Sequence, residues 1–335
     1  MGQGQPTAQQ FMRLDAIAKN LKVKSRYPHP DFVREVTDAC MERVAPVIDK
    51  LLPCSGEDIA LGLSEHLGVA FEEVHGPDDI TDLERRYLRG LKEIGFAQLR
   101  DELAGDGVDA LLFQRMHAKE KDRDRWIAVL NFQKTKAKGY WNRHHELTHR
   151  VAEPPQRMLP FRRHQFEAGN PVESLIDTVA SEFAFYAPAF RPQVNALAKH
   201  CKLSIDVVEA IRQMYAPSAS LQATLIAVVK YWPSPAAALI AQHRGRKRDP
   251  GADQALRVTP QRYSKTANAA GLRFFDNMRV SRESPIYEVF ETAAWKDAYE
   301  HLGDWSTSTG DRLQPIDVYT SARMIGKRVY AVVSV

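Results

Sequence analysis

Cysteine is scarce: Cys40, Cys54 and Cys201 lie far apart in a chain of 335 residues and form no Cys-x-x-Cys pair. That excludes a disulfide-stapled scaffold and a cysteine-built zinc site, and it fits a reducing compartment. An excess of one charge is also lacking. The 46 Lys+Arg against 42 Asp+Glu leave +4, too slight to require a nucleic-acid or membrane partner. No uncharged apolar run approaches the roughly 20 residues that cross a bilayer. The start, Met1-Gly2-Gln3-Gly4-Gln5-Pro6, has neither the basic nor the apolar region of a secretory signal, and Pro6 stands where a myristoylation signal has Ser or Thr. These absences lead to the expectation of a soluble, cytoplasmic protein. What is present is a composition of 44% hydrophobic and 26% charged residues, enough to bury a core over two or three domains. Eleven histidines remain available as metal ligands.

The apolar periodicity predicts helices over residues 8–52, broken at Tyr27-Pro28-His29-Pro30 because each proline drives its predecessor out of the helical region. Further helical segments follow in 57–105, with a short strand at Val69–Val74 between them. Val108–Phe113 and Trp126–Phe132 read as two strands flanking a charged, solvated connection. Helical patterns return from Gly139 to Glu153, from about Val172 to Tyr186, and over 193–232. Ser234-Pro235 and the basic run Arg244–Arg248, closed by Asp249-Pro250-Gly251, suggest a linker. Beyond it the sequence predicts a helix over Ile286–Leu302 and strands over Ile316–Thr320 and Val329–Val335, with Met324–Lys327 as a turn.

One motif carries chemistry: His145-Glu146-Leu147-Thr148-His149. On a helix, residues four apart share a face, so both imidazoles can reach one metal ion while Glu146 sits beside it. Zinc takes neutral nitrogen ligands, and a catalytic site needs a third protein ligand and an open position for water, with Glu146 as general base. A third histidine six residues after His149 is absent, since Pro155 stands there, and Ala152 replaces the glycine of that arrangement. A later helix offers Glu173 as third ligand, with Asp177 one turn on to accept from a ligand imidazole's distal N–H. Glu182 is the rival ligand, and Glu153, at a helix end, a weaker one. His144 points about 100° away around the helix and reads as a partly exposed polar residue. His164 and Tyr186 are candidates for stabilising the oxyanion of a tetrahedral intermediate.

The order strand, His-Glu-x-x-His helix, then Glu173-x-x-x-Asp177-x-x-Ala180-x-Glu182-Phe183-Ala184 and Pro188 resembles the ImmA/IrrE family of metallo-endopeptidases. The likeness spans roughly residues 55–235 and includes the helical segment Leu197–Val208. It implies zinc (Zn2+) held by His145, His149 and Glu173, with Glu146 catalytic. It also implies a specific protein substrate, a helix-turn-helix transcriptional repressor cut in a stress response or similar programme. Thr148 stands where the family commonly has glycine, and Phe185-Tyr186-Ala187-Pro188 replaces its Leu-Leu-Met-Pro ending.

The expected fold class is α+β: a mostly helical zinc-peptidase core with a small β-sheet, a helical post-catalytic segment, and a separate C-terminal α/β domain. The expected divisions are a helical N-terminal region at 1–55, the metallopeptidase core at 56–192, a segment with helix-turn-helix flavour at 193–235, and a C-terminal domain at 252–335. That last domain has the size and mixed character of the GAF-like sensor that radiation-response members of the family carry. Direct DNA binding is disfavoured, because no cluster of Arg or Lys lines the second helix of 197–214. The alternative function is a non-proteolytic regulator that binds DNA or a repressor and whose metal is structural.

Overall fold

The computed structural model describes residues 6–87, 99–104, 108–115, 119, 122–132, 139–154, 161–164, 170–245, 254–306 and 312–335, with the backbone alone for 102, 104 and 161–164. The architecture is α+β and divides into two compact units, 1–189 and 190–335, each treated by itself. Among the described residues no helix is long and apolar enough to cross a membrane.

In the first unit, helix α1 (Ala8–Leu21) starts at a reciprocal cap in which Thr7 and Gln10 exchange side-chain-to-backbone bonds. It buries Leu14, Ile17, Ala18 and Leu21. Helix α2 (Phe32–Ile48) buries Phe32, Val36, Cys40, Val44 and Ile48, the three- and four-residue spacing of one helical face. Helix α3 (Gly56–Leu67) is capped by Ser55. Strand β1 (Val69–Val74), helix α4 (Pro77–Tyr87), helix α5 (Leu99–Ala104), β2 (Val108–Gln114), β3 (Trp126–Asn131), helix α6 (Gly139–Ala152), β4 (Phe161–His164) and helix α7 (Pro171–Ala184) complete the unit, which runs to Ala189.

The sheet has the order β1-β3-β2-β4, with β1 parallel to β3 and the other two pairs antiparallel. Strand β3 is buried throughout. Ile127 and Val129 on it pack with Leu111 and Phe113 of β2 and with Ile80, Leu83, Leu99 and Leu103 of α4 and α5. Helix α6 packs against both central strands, and α7 packs along α6 with α2 and α3 behind it.

The N-terminal helices were expected to form a region of their own, but they belong to the same unit as the His-Glu-x-x-His helix. The reason is polar as well as apolar. Asn20 Nδ2 donates to the Ala152 carbonyl at 2.8 Å and Arg43 donates to the Val151 carbonyl at 3.1 Å. Both satisfy carbonyls that the C-terminus of α6 leaves without helical partners.

The second unit begins within helix α8 (Ala187–Ala198) and continues through α9 (Ile205–Tyr215) and α10 (Leu221–Tyr231) into strands β5 (Ala236–Arg244), β6 (Ala255–Tyr263) and β7 (Met278–Arg279). Helix α11 (Pro285–Thr292), β8 (Trp295–His301), β9 (Asp317–Ile325) and β10 (Arg328–Ser334) follow. The antiparallel sheet has the order β7-β6-β5-β10-β9-β8. Val329, Ala331 and Val333 of β10 point to the face where Ile286 and Val289 of α11 pack with Trp305. Ser321 of β9 points to the opposite face and accepts from the backbone N–H of Ile205 at 2.9 Å.

Three sequence expectations are corrected here. The helical segment 193–235 does not stand apart but lies in one unit with the C-terminal sheet, because α9 packs along α10, α10 packs on β5 and β6, and Ile205 donates its backbone N–H to Ser321 of β9. The stretch read as a linker holds β5, whose Ala236–Ala241 run is buried on both faces between β6 and β10. Alanine favours helix in isolation, and sheet pairing overrides that preference. Residues 246–248 of the basic run lie outside the described residues. The helix over 286–302 stops at Thr292, where Ala293 adopts a left-handed φ of 54°, and β8 follows. The final hairpin is as expected, with Gly326 supplying the positive φ of 59° in its turn.

Gly56 marks where α3, α6 and the end of α7 converge. A Cβ there would lie 2.0 Å from the Tyr140 hydroxyl oxygen and 3.1 Å from the Ala184 carbonyl oxygen, and that hydroxyl donates to that carbonyl. Gly56→Ala is therefore expected to destabilise the protein by about 1–3 kcal/mol through overpacking. The measurement is the midpoint of thermal or denaturant unfolding, and an unshifted midpoint would contradict the tight convergence.

Candidate metal centre

Helix α6 carries Trp141, His145 and His149 at four-residue intervals, and Glu153 follows one more interval on. Four residues advance slightly more than one turn, so these side chains form a shallow spiral on one face. His145 and His149 are buried, and their Nε2 atoms approach to 3.0 Å.

Helix α7 supplies the carboxylate. Asn170 caps it by accepting from the Val172 N–H, Pro171 occupies its first position, and Glu173 lies in its first turn, where the helix dipole favours an acid. Oε2 of Glu173 lies 3.2 Å from His145 Nε2 and 3.5 Å from His149 Nε2. The ligand atoms of His145, His149 and Glu173 all lie within 4.8 Å of one another, a group that could hold a metal ion.

Both imidazoles are oriented through their other nitrogen. His145 Nδ1 donates to Asp177 Oδ1 at 2.9 Å, and Trp141 Nε1 donates to the same oxygen at 3.1 Å. His149 Nδ1 donates to Glu153 Oε1 at 2.8 Å, and Arg13 donates to that oxygen at 2.7 Å. Such partners fix the tautomer, turn Nε2 towards the centre and raise its basicity. Two imidazole nitrogens, one carboxylate oxygen and a carboxylate behind each imidazole suit a divalent ion of the nitrogen- and oxygen-binding kind, with a position left open.

The electrostatics follow from the crowding. Burial works against a charged His149, yet the Glu173 and Glu153 carboxylates outweigh it and raise its pKa to about 10. Burial likewise opposes ionisation of Glu173, but the charge of His149 and the hydrogen bond from His145 hold it well below the usual carboxylate range. Glu153 is lowered against its burial by His149 and Arg13.

Glu146 is buried and directly follows His145 on α6. Glu182 lies on α7 about 13 Å of helix axis beyond Glu173, outside the group of three. Tyr186 follows the last turn of α7 while Glu173 occupies its first, so more than about 15 Å of axis separates them. Its hydroxyl donates to Asp49 Oδ1 at 2.7 Å, so the structure does not bring Tyr186 to the centre. His164 pairs its backbone with Val108, and its side chain lies outside the described residues. His144 is fully buried rather than partly exposed: Nδ1 is 2.9 Å from the Tyr140 carbonyl oxygen, and burial pushes its pKa down to about 4.

Sequence reasoning missed Arg13, Trp141, and the role of Glu153 as partner of His149. The spacing 141, 145, 149, 153 was the available signal for the last two. Nothing local pointed to Arg13.

No protein-family model and no curated protein matches the chain. Among solved structures, a Mycobacterium tuberculosis transcriptional regulator aligns over 84% of this chain and 81% of its own, at 8% identity and a TM-score of 0.35.

A divalent ion entering this site must displace the His149 proton. That group loses its proton only near pH 10 when surrounded by protein groups alone, so one proton should leave per ion bound below that pH. In protein stripped with a chelator, apparent affinity should rise by about tenfold per pH unit from about pH 6.5 to about pH 8. Calorimetric titration in buffers of different ionisation enthalpy counts the proton, and a pH-independent affinity would refute the assignment.

Proposed function

We propose that the protein is a zinc-dependent endopeptidase of the ImmA/IrrE type, acting in the cytoplasm on a specific protein substrate such as a helix-turn-helix repressor. The observation that supports it is the convergence of His145, His149 and Glu173 from two helices, with Glu146 next to the first ligand on the same helix. His145, His149 and Glu173 would hold the ion, and Asp177 and Glu153 would keep the imidazoles aimed. Zinc bound there supplies Lewis acidity, making water nucleophilic at neutral pH and polarising the scissile carbonyl.

The chain's own residues do the rest. Glu146 accepts the proton of the attacking water as the new C–O bond forms, and delivers it to the amine nitrogen as the C–N bond breaks. The burial of α6 at this point restricts bulk water around that transfer. A donor for the oxyanion must come from elsewhere than Tyr186, whose hydroxyl is engaged by Asp49. The C-terminal unit, with its mixed helix and sheet, suits a regulatory domain.

Co-expression with candidate helix-turn-helix repressors, followed by mass measurement of the products, tests this reading. Wild type should carry about one zinc per chain and cut its partner at one position. Glu146→Gln should retain zinc while cleavage falls by about 100- to 10,000-fold. Cleavage by Glu146→Gln at the wild-type rate would sink the mechanism, and a chain that holds no metal would sink the assignment.

A further inference from the structure

Glu173 presents two oxygens to different surroundings. Oε2 faces the imidazoles, 3.2 Å from His145 Nε2 and 3.5 Å from His149 Nε2. Oε1 faces Arg13, whose guanidinium nitrogen is 3.5 Å away and also lies 2.7 Å from Glu153 Oε1. We propose that Arg13 is a positioning residue of the metal centre, one that holds Glu173 to ligation through a single oxygen and so keeps a coordination position open. This rests on the metal-site reading above and adds a residue from a helix remote in sequence.

A carboxylate can bind an ion through one oxygen or through both. With two imidazoles, one-oxygen ligation gives three protein donors and leaves a fourth position for water, the arrangement a catalytic site needs. Two-oxygen ligation adds a donor beside that water, raising the count to five and closing the position a substrate carbonyl would take. A guanidinium presents donors in a rigid fork, and here one nitrogen touches both carboxylates.

Its placement is determined by the fold. Arg13 adjoins Leu14 and Ile17, which are buried, and Asn20, two turns on along the same face, bonds to the Ala152 carbonyl at 2.8 Å. A surface ion pair would contribute little. The partners here are not at the surface: the Glu153 and Glu173 side chains are 1% and 13% exposed.

Cobalt(II) is the probe, because the intensity of its visible absorption falls as coordination rises above four. Full-length wild type, Arg13→Met, Arg13→Lys and Asn20→Ala are loaded with cobalt and their spectra compared at one ion per chain. Wild type should give the intense band of a four-coordinate site. Arg13→Met should still bind cobalt but show a weaker, shifted band, because Glu173 is free to swing both oxygens to the ion. Arg13→Lys keeps the charge without the fork and should fall between the two, and it serves as the test if Arg13→Met does not fold. Asn20→Ala loosens α1 without touching either carboxylate and should match wild type.

An Arg13→Met or Arg13→Lys band identical to wild type would overturn the inference while leaving the metal centre standing. A change in Asn20→Ala as large as in Arg13→Met would overturn it too, since Arg13 would then act only by anchoring α1. Absence of cobalt binding in wild type would instead sink the metal-site reading itself.

Discussion

Two imidazoles and a carboxylate brought within 3.0–3.5 Å of one another inside a helical layer are an unfavourable arrangement unless everything around them is fixed. Removing ionisable groups from water costs several kcal/mol per charge before any partner offsets it. The packing of α6 on α7 imposes that proximity, and the rest of the first unit serves to make it tolerable. Strand β3 backs α6 with an all-buried apolar surface. Trp141 and Asp177 satisfy one imidazole, and Glu153 and Arg13 satisfy the other. Each outer carboxylate thus has two donors. A carboxylate with only one would be free to rotate, and the imidazole it holds would turn with it.

The dependence on long-range contacts explains why α1 and α2 belong to this unit. The C-terminal end of α6 leaves carbonyls without helical partners. Asn20 and Arg43 cap those carbonyls, and Arg13 holds the side chain that follows. Cationic groups at a helix C-terminus are also favoured by its dipole.

How much of this the sequence reveals depends on the range of each interaction. His145, Glu146 and His149 are legible because helix periodicity alone puts them together. Glu173 and Asp177 are legible because one turn separates them on a helix that the apolar pattern predicts. As a sequence feature Glu153 reads only as a weaker candidate ligand, although its four-residue interval from His149 points to pairing with that imidazole. Arg13 is illegible, because its partners lie more than a hundred residues away and an arginine on an amphipathic helix has no distinguishing local signature. Tyr186 misleads for the same reason: its partner Asp49, directly after α2, lies more than a hundred residues away. In the second unit the hairpin β9–β10 is readable from alternation and a glycine turn. Strand β5 is not, since its alanines gain their sheet pairing only from neighbours distant in the chain.

Charge balance gives a physical reason for a divalent ion rather than a proton at this centre. Asp177, Glu153 and Glu173 contribute three negative charges around the two imidazoles, and Arg13 returns one positive. The remainder is two negative charges. A single proton on His149, held with a raised pKa, neutralises half of it. A dication neutralises all of it while leaving both imidazoles neutral, the form in which they ligate. Glu146 is then the one acid on α6 outside that balance, and on the peptidase reading a surplus carboxylate beside a neutralised centre is what a general base requires. It can accept a proton without removing a charge on which the ligand set depends.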